Sequence, residues 1–370
     1  MKTLRDLGFG RDVMETRILD EIDHLFDVID KSQDEPIHVR KVLAPSVSNN
    51  VAGLVFGHRF DYDHPRRLFL DDLLDPSKKN TFLIILMIIF SNVPKLFKIL
   101  AYFGLLGTRE TREMSYQMIK MVSDEIDEHE KSLDTLNVRD YIDGFLIEMK
   151  KQQDDGKSSF TRDMLSGNVR GFFAAGSDTV RTTLEWIFLT LSVYPEVQDQ
   201  LRTEIDTQIG ERSPTWADRN RMPFTQAVLA EVQRWKTVVP LNLPRRTLED
   251  IVVQGVKIPK NTQLLANFYS VHHDPKIWGD DESEFKPERF LDQNGQFVKR
   301  DEFIAFSYGK RACPGESLAI VELFLYVTKI IQRYKLELPF GVKPDFSETI
   351  GLTSQPKTPV VLNFKLLSKN

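Results

Sequence analysis

Cys313 is the only cysteine in this chain of 370 residues, and that count restricts the folds open to it. A lone cysteine closes no internal disulfide and cannot supply the several thiolates of a zinc knuckle or an iron–sulfur centre. The chain must therefore hold itself together by an ordinary buried core. Hydrophobic residues at 41% and charged residues at 28% suit that, and the length suffices for one large domain or two modest ones. No repeat, low-complexity run or polar linker divides it, so a single domain over 1–370 is expected. Helical periodicity dominates from Arg11 to Lys236, with breaks near 32–36, 61–65 and 154–159. The stretches 251–258 and 263–268 read as short strands around glycine and Pro-Lys-Asn turns. The expected architecture is mainly α with a small β portion.

Taken alone, a single cysteine reads as a small buried hydrophobe. Its neighbours argue otherwise. It sits in Phe306-Ser-Tyr-Gly-Lys-Arg311-Ala-Cys313-Pro-Gly315, where Gly309 and Gly315 permit a tight loop that can approach a flat ligand closely. Pro314 suits the first turn of a helix, and 316–333 carries the apolar periodicity of one. Cys313 is then expected at a helix N-terminus, where unpaired N–H groups and the dipole favour a thiolate. Such a sulfur wants a cation or a metal.

The loop resembles the haem-binding loop of the cytochrome P-450 family, Phe-x-x-Gly-x-Arg-x-Cys-x-Gly, at every fixed position. The resemblance implies that Cys313 is the axial thiolate of haem b iron, framed by Phe306, Gly309 and Gly315, with Arg311 reaching a haem propionate. Cysteine ligation is the established hallmark of these enzymes, the thiolate pushing electron density toward O–O cleavage.

Three further segments carry the resemblance in the right order. Glu231-Val-Gln-Arg234 places an acid and a base at i and i+3 on one helix face. By itself this pattern is common on solvated helices, but Pro287-Glu-Arg289-Phe290 follows as in the family, where Arg289 completes a Glu–Arg–Arg cluster that supports the cysteine loop. Ala175-Gly176-Ser-Asp178-Thr179 falls inside a helix expected over 161–193. A glycine in a helix interior costs about 1 kcal/mol against alanine, and close approach of the backbone to a flat ring would justify it. A bare helix-packing patch is the alternative. Thr179 can bond back to the carbonyl of Ala175 and loosen the helix locally. In the family this threonine and the preceding acid, Asp178, help deliver protons during oxygen activation. Val238-Val-Pro240-Leu-Asn-Leu243-Pro244-Arg245 is extended by its prolines; the resemblance implies that it passes beside the haem and sets Arg245 on a propionate.

The implied activity is that of a haem-thiolate monooxygenase, resembling the microsomal family-2 branch. It inserts one oxygen atom of dioxygen into an apolar organic substrate of xenobiotic, fatty-acid or steroid class. Electrons come from an NADPH-cytochrome P-450 reductase, with cytochrome b5 as an occasional second partner. Two alternatives remain: a reductase-independent isomerase or peroxygenase, and a truncated haem-binding protein without activity. The intact Asp178-Thr179 pair counts against the first. The second follows from Met1-Lys-Thr-Leu-Arg-Asp-Leu-Gly-Phe-Gly-Arg11, which resembles the middle of a family domain, so that the N-terminal third, the membrane anchor and the first helices are expected to be absent.

Phe82-Leu-Ile-Ile-Leu-Met-Ile-Ile-Phe90 is too short to cross a bilayer. A buried core helix is one reading. The resemblance implies instead a pocket-lining helix followed by a membrane-touching loop over 93–104, where Lys95 and Lys98 suit a lipid interface, and an endoplasmic reticulum location on the cytosolic face. A net charge of −5 without a basic stripe argues against nucleic acid. His272-His273, read as strand end and loop, is a poor metal site.

Overall fold

The computed structural model describes residues 12–33, 35–74, 99, 102–104, 108–152 and 158–367. The apolar run 82–90 and most of the segment after it lie outside these residues. In chain order, α1 (Asp12–Asp30) leads through β1 (Ile37–His38) into α2 (Val39–Val55), α3 (Pro65–Leu74), α4 (Thr108–Ser132), α5 (Tyr141–Lys151), α6 (Arg162–Val193), α7 (Pro195–Gln208) and α8 (Pro223–Trp235). Four short strands follow, β2 (Arg245–Arg246), β3 (Ile251–Val253), β4 (Val256–Ile258) and β5 (Gln263–Leu264), then short helices α9 (Phe268–His272) and α10 (Pro275–Trp278). Helix α11 (Glu316–Arg333) precedes β6 (Tyr334–Glu337), β7 (Glu348–Ile350), β8 (Ser354–Pro356) and β9 (Val361–Leu366). The architecture is mainly α with small antiparallel sheets, as expected.

Helix α6 is the axis of the fold. Its start is fixed by Thr161, whose side chain accepts from the Met164 amide at 3.2 Å. It ends where Pro195 can only begin a new helix. Every residue from Val180 to Leu191 is buried; α2, α7, α8 and α11 all pack against this helix. Helix α11 is likewise apolar on most sides, with Leu318, Val321, Phe324, Leu325, Val327, Ile330 and Ile331 in the core. The main sheet runs β1-β9-β6, with Ile37 opposite Leu362 and Leu336 opposite Phe364. Gln254 and Gly255, at φ 48° and 82°, turn the β3-β4 hairpin, as a two-residue loop of matching twist requires.

One expected strand, over 263–268, is cut to its first two residues. Only Gln263–Leu264 pairs, with Arg245–Arg246. The Asn267 side chain accepts from the Ser270 amide at 3.1 Å and starts α9, a local cap that wins over the β propensity of the run. His272 therefore ends a helix. No described helix is long and apolar enough to cross a membrane, while Ile99, Tyr102 and Phe103 are exposed.

Candidate functional site

The cysteine loop is drawn closed by its own backbone. The Cys313 amide donates to the Phe306 carbonyl at 2.8 Å, and the Ala312 amide donates to Gly309 at 3.0 Å. Ser307 and Gly309 both adopt left-handed backbone, φ 65° and 74°. Glycine accepts that freely and serine does so at a strain cost. Pro314 lies in the turn just before α11, and Gly315 is the N-cap residue. The Cys313 side chain is exposed, as is Arg311, while Phe306 is half-buried.

The Cys313 sulfur accepts from the backbone N–H groups of Gly315 and Glu316. Those donors pull the thiol pKa down, but desolvation by the protein behind the sulfur is larger and pushes it up, with the Glu316 carboxylate adding to the rise. The helix terminus alone does not make a thiolate here. A cation on the sulfur does, since coordination deprotonates a thiol outright.

On α6, the Thr179 hydroxyl donates to the Ala175 carbonyl at 2.8 Å. The helix runs unbroken through this bond rather than loosening. Ala174 and Ala175 are exposed in mid-helix. At Gly176 the helix-packing reading has a concrete contact: a Cβ there would lie 2.9 Å from Val51 Cγ2, so the glycine lets α2 approach α6. Asp178 is buried and committed. Its Oδ1 pairs with Arg181 at 2.7 Å and its Oδ2 accepts from Thr353 at 2.9 Å. Arg181 continues to Glu185 at 2.9 Å, and Glu185 to Arg40 at 2.8 Å. The Asp178–Arg181 pair was visible in the sequence as an i,i+3 spacing. Thr353 and Gln355 come from a distant hairpin, and no sequence spacing pairs them with Asp178.

The extended segment after α8 is tied to the cysteine loop. Asn242 donates to the Ser307 hydroxyl at 3.4 Å, and Arg245 donates to the Arg311 carbonyl at 3.4 Å. Beneath them the expected cluster forms. Arg234 grips the Glu231 carboxylate through two bonds of 2.7 and 2.8 Å, and Arg289 Nε lies 3.4 Å from it. Glu231 also takes the Lys286 amide at 2.9 Å. Both Glu231 and Arg234 are fully buried.

These residues fit the haem that the loop implies. They offer one sulfur backed by two N–H donors, small exposed groups at Ala174 and Ala175, and the half-exposed apolar side chains of Leu241 and Leu243. The guanidinium groups of Arg245 and Arg311 can meet carboxylates.

A second convergence, His129, Asp140 and Asp143, has ligand atoms within 4.8 Å of one another and borders a cavity of about 540 Å³ that Arg17 and Glu125 also line. Its groups already hold one another. His129 bonds Asp140 at 2.8 Å and the Glu125 carbonyl at 2.7 Å, and Asp143 chelates Arg139. It is an ion-pair network.

The sequence model of the cytochrome P450 family matches residues 1–363. Cytochrome P450 2J3 of Rattus norvegicus is 37% identical over 360 residues, 96% of this chain and 70% of that protein. Cytochrome P450 2U1 of Mus musculus is 37% identical over 96% of this chain and 66% of its own length, and cytochrome P450 2D26 of Rattus norvegicus is 39% identical over 97% and 70%. The chain thus spans about two thirds of the length of these relatives.

Proposed function

The chain belongs to the cytochrome P450 family, whose cofactor is haem held by a thiolate, and from that premise we propose that it is a monooxygenase acting on apolar small molecules, with Cys313 as the iron ligand. The observation that carries this reading is the Cys313 sulfur, exposed at the start of α11 with the Gly315 and Glu316 amides donating to it. Bound haem supplies the activation of dioxygen and the acceptance of electrons.

The chain's own residues bind, orient and move protons. Arg245 and Arg311 hold the propionates, and the Arg245 bond to the Arg311 carbonyl keeps the two together. Phe306 and Gly309 shape the loop that presents the sulfur. Ala175 gives a flat wall, and Gly176 keeps that wall in place by admitting Val51. Thr179 is the proton-handling hydroxyl, parked on the Ala175 carbonyl. Asp178, one residue away, is the carboxylate at the end of a buried chain through Thr353 and Gln355, which can hold or pass a proton at Oδ2. The Glu231–Arg234–Arg289 cluster supports the loop from below.

The apolar, half-exposed Leu241 and Leu243 suit xenobiotics, fatty acids or steroids, whereas Phe172 and Phe173 of α6, expected beside them, pack into the core against Tyr141 and Phe56. Lys310 and Arg311 offer a basic patch for an NADPH-dependent flavoprotein reductase and for cytochrome b5. Exposed Ile99, Tyr102 and Phe103 suit peripheral contact with the endoplasmic reticulum membrane from the cytosolic side.

The test is turnover of an apolar substrate panel under isotopically labelled dioxygen with reductase and NADPH. One labelled oxygen per product is expected. Products formed only with peroxide, or none from haem-loaded protein, would overturn the assignment.

A further inference from the structure

His272 is fully buried at the end of α9 and belongs to neither the cysteine loop nor the Glu–Arg–Arg cluster. Its ring connects them. The Ile304 amide lies 3.1 Å from Nε2, and because an amide can only donate, Nε2 is the unprotonated nitrogen. Nδ1 then carries the hydrogen and donates to the Thr237 hydroxyl at 2.8 Å, and that hydroxyl donates to the Arg234 carbonyl at 2.9 Å. The backbone repeats the link, Arg234 Nη1 donating to the His272 carbonyl at 2.7 Å. On the other side, the Ile304 carbonyl accepts from the Ser307 amide at 2.9 Å, one residue beyond the Phe306 carbonyl that holds the Cys313 amide. Phe303 stacks on the imidazole with its centroid 5.8 Å away.

We propose that His272 is a positioning residue, a single-tautomer clamp that fastens the Cys313 loop to the Arg234 helix and lets go when Nε2 is protonated. This rests on Cys313 being the working end of the loop. One neutral ring satisfies a donor on one side and an acceptor on the other, while a protonated ring has only donors and must turn its back on the Ile304 amide. The surroundings oppose that protonation. Burial, His273 at the C-cap of α9 and Arg234 of α8 hold the imidazole pKa down at about 3. From the facing loop, the Phe303 ring stacks on the imidazole and the Ile304 amide donates to it, and neither carries a charge. The Glu231 carboxylate is taken up by Arg234, Arg289 and the Lys286 amide.

The folded pKa thus lies below the ordinary value of about 6.5. The clamp contributes fully above that pH. As pH falls below it the unfolded or opened loop takes a proton that the closed one refuses, so closure weakens progressively.

Amide hydrogen exchange tests this without requiring haem. Protection of Ile304 and Cys313, corrected for intrinsic rates, is compared between about pH 7.5 and about pH 5 with that of buried Leu189 in α6; a tenfold or greater selective loss at the two loop amides is expected. His272→Phe should lose that protection at both pH values, and His272→Asn, which keeps a donor and an acceptor but does not titrate, should retain part of it with no pH dependence. Loop amides that follow Leu189 across pH in the wild type, or protection at Ile304 that His272→Phe leaves intact, would overturn the clamp. Because exchange is read without haem, failure to bind haem would count against the function proposed above and not against this inference.

Discussion

The Cys313 amide donates to the Phe306 carbonyl at 2.8 Å, so the two ends of the loop hold each other while the sulfur stays exposed. Sulfur presentation therefore depends on backbone closure, and closure depends on what stands beneath it.

That dependence makes the buried cluster the first place to look. Arg234→Leu leaves the Glu231 carboxylate buried and short of its bidentate partner, at a cost of about 3–5 kcal/mol. Arg234→Lys recovers only part, since an ammonium cannot copy the fork. Thermal unfolding and haem content should fall together in both variants, in that order of severity.

Gly176 separates packing from ligand approach. Gly176→Ala pushes a methyl against Val51 Cγ2, and overpacking of this kind costs about 1–3 kcal/mol. Combining it with Val51→Ala should lose less stability than the two single changes summed. Strict additivity in chemical denaturation would show that the glycine serves something other than α2.

The sequence showed much of this in advance. Helices α6 and α11 lie within a residue of the expected spans 161–193 and 316–333, because apolar periodicity and Pro314 are local signals. The Val51–Gly176 contact and the Asp178–Thr353 bond join distant segments, and no spacing rule reaches them. His272 escaped for a subtler reason: the Asn267 cap starts a short helix where the expected strand was to end, and the ring at the end of that helix is buried.

Thr179→Val removes the hydroxyl but keeps the shape. Its bond to Ala175 contributes about 1 kcal/mol or less, so the fold should survive. Product formed per NADPH consumed should drop by roughly tenfold or more, with peroxide rising in its place. Unchanged coupling would remove Thr179 from proton handling.

Glu322 is fully buried in α11, with only the Asn50 side chain to offset the loss of water, and neither oxygen has a hydrogen bond of good geometry. Desolvation raises its pKa to about 8. The folded state keeps a proton that the unfolded chain releases above its ordinary value, so the contribution is full below about 4.5 and lost as pH rises through about 8. Glu322→Gln should remove this loss, gaining on the order of a few kcal/mol over wild type at alkaline pH and little at pH 5 or so. Parallel stability curves for the two proteins would contradict it.

Ligation of haem iron by Cys313 is tested most directly by the carbon monoxide difference spectrum of the reduced, haem-loaded protein beside Cys313→Ala. The wild type should give the long-wavelength Soret band of a thiolate-bound haem, and the variant should lack it while still folding. Absence of that band from the wild type, or its survival in Cys313→Ala, would contradict the assignment.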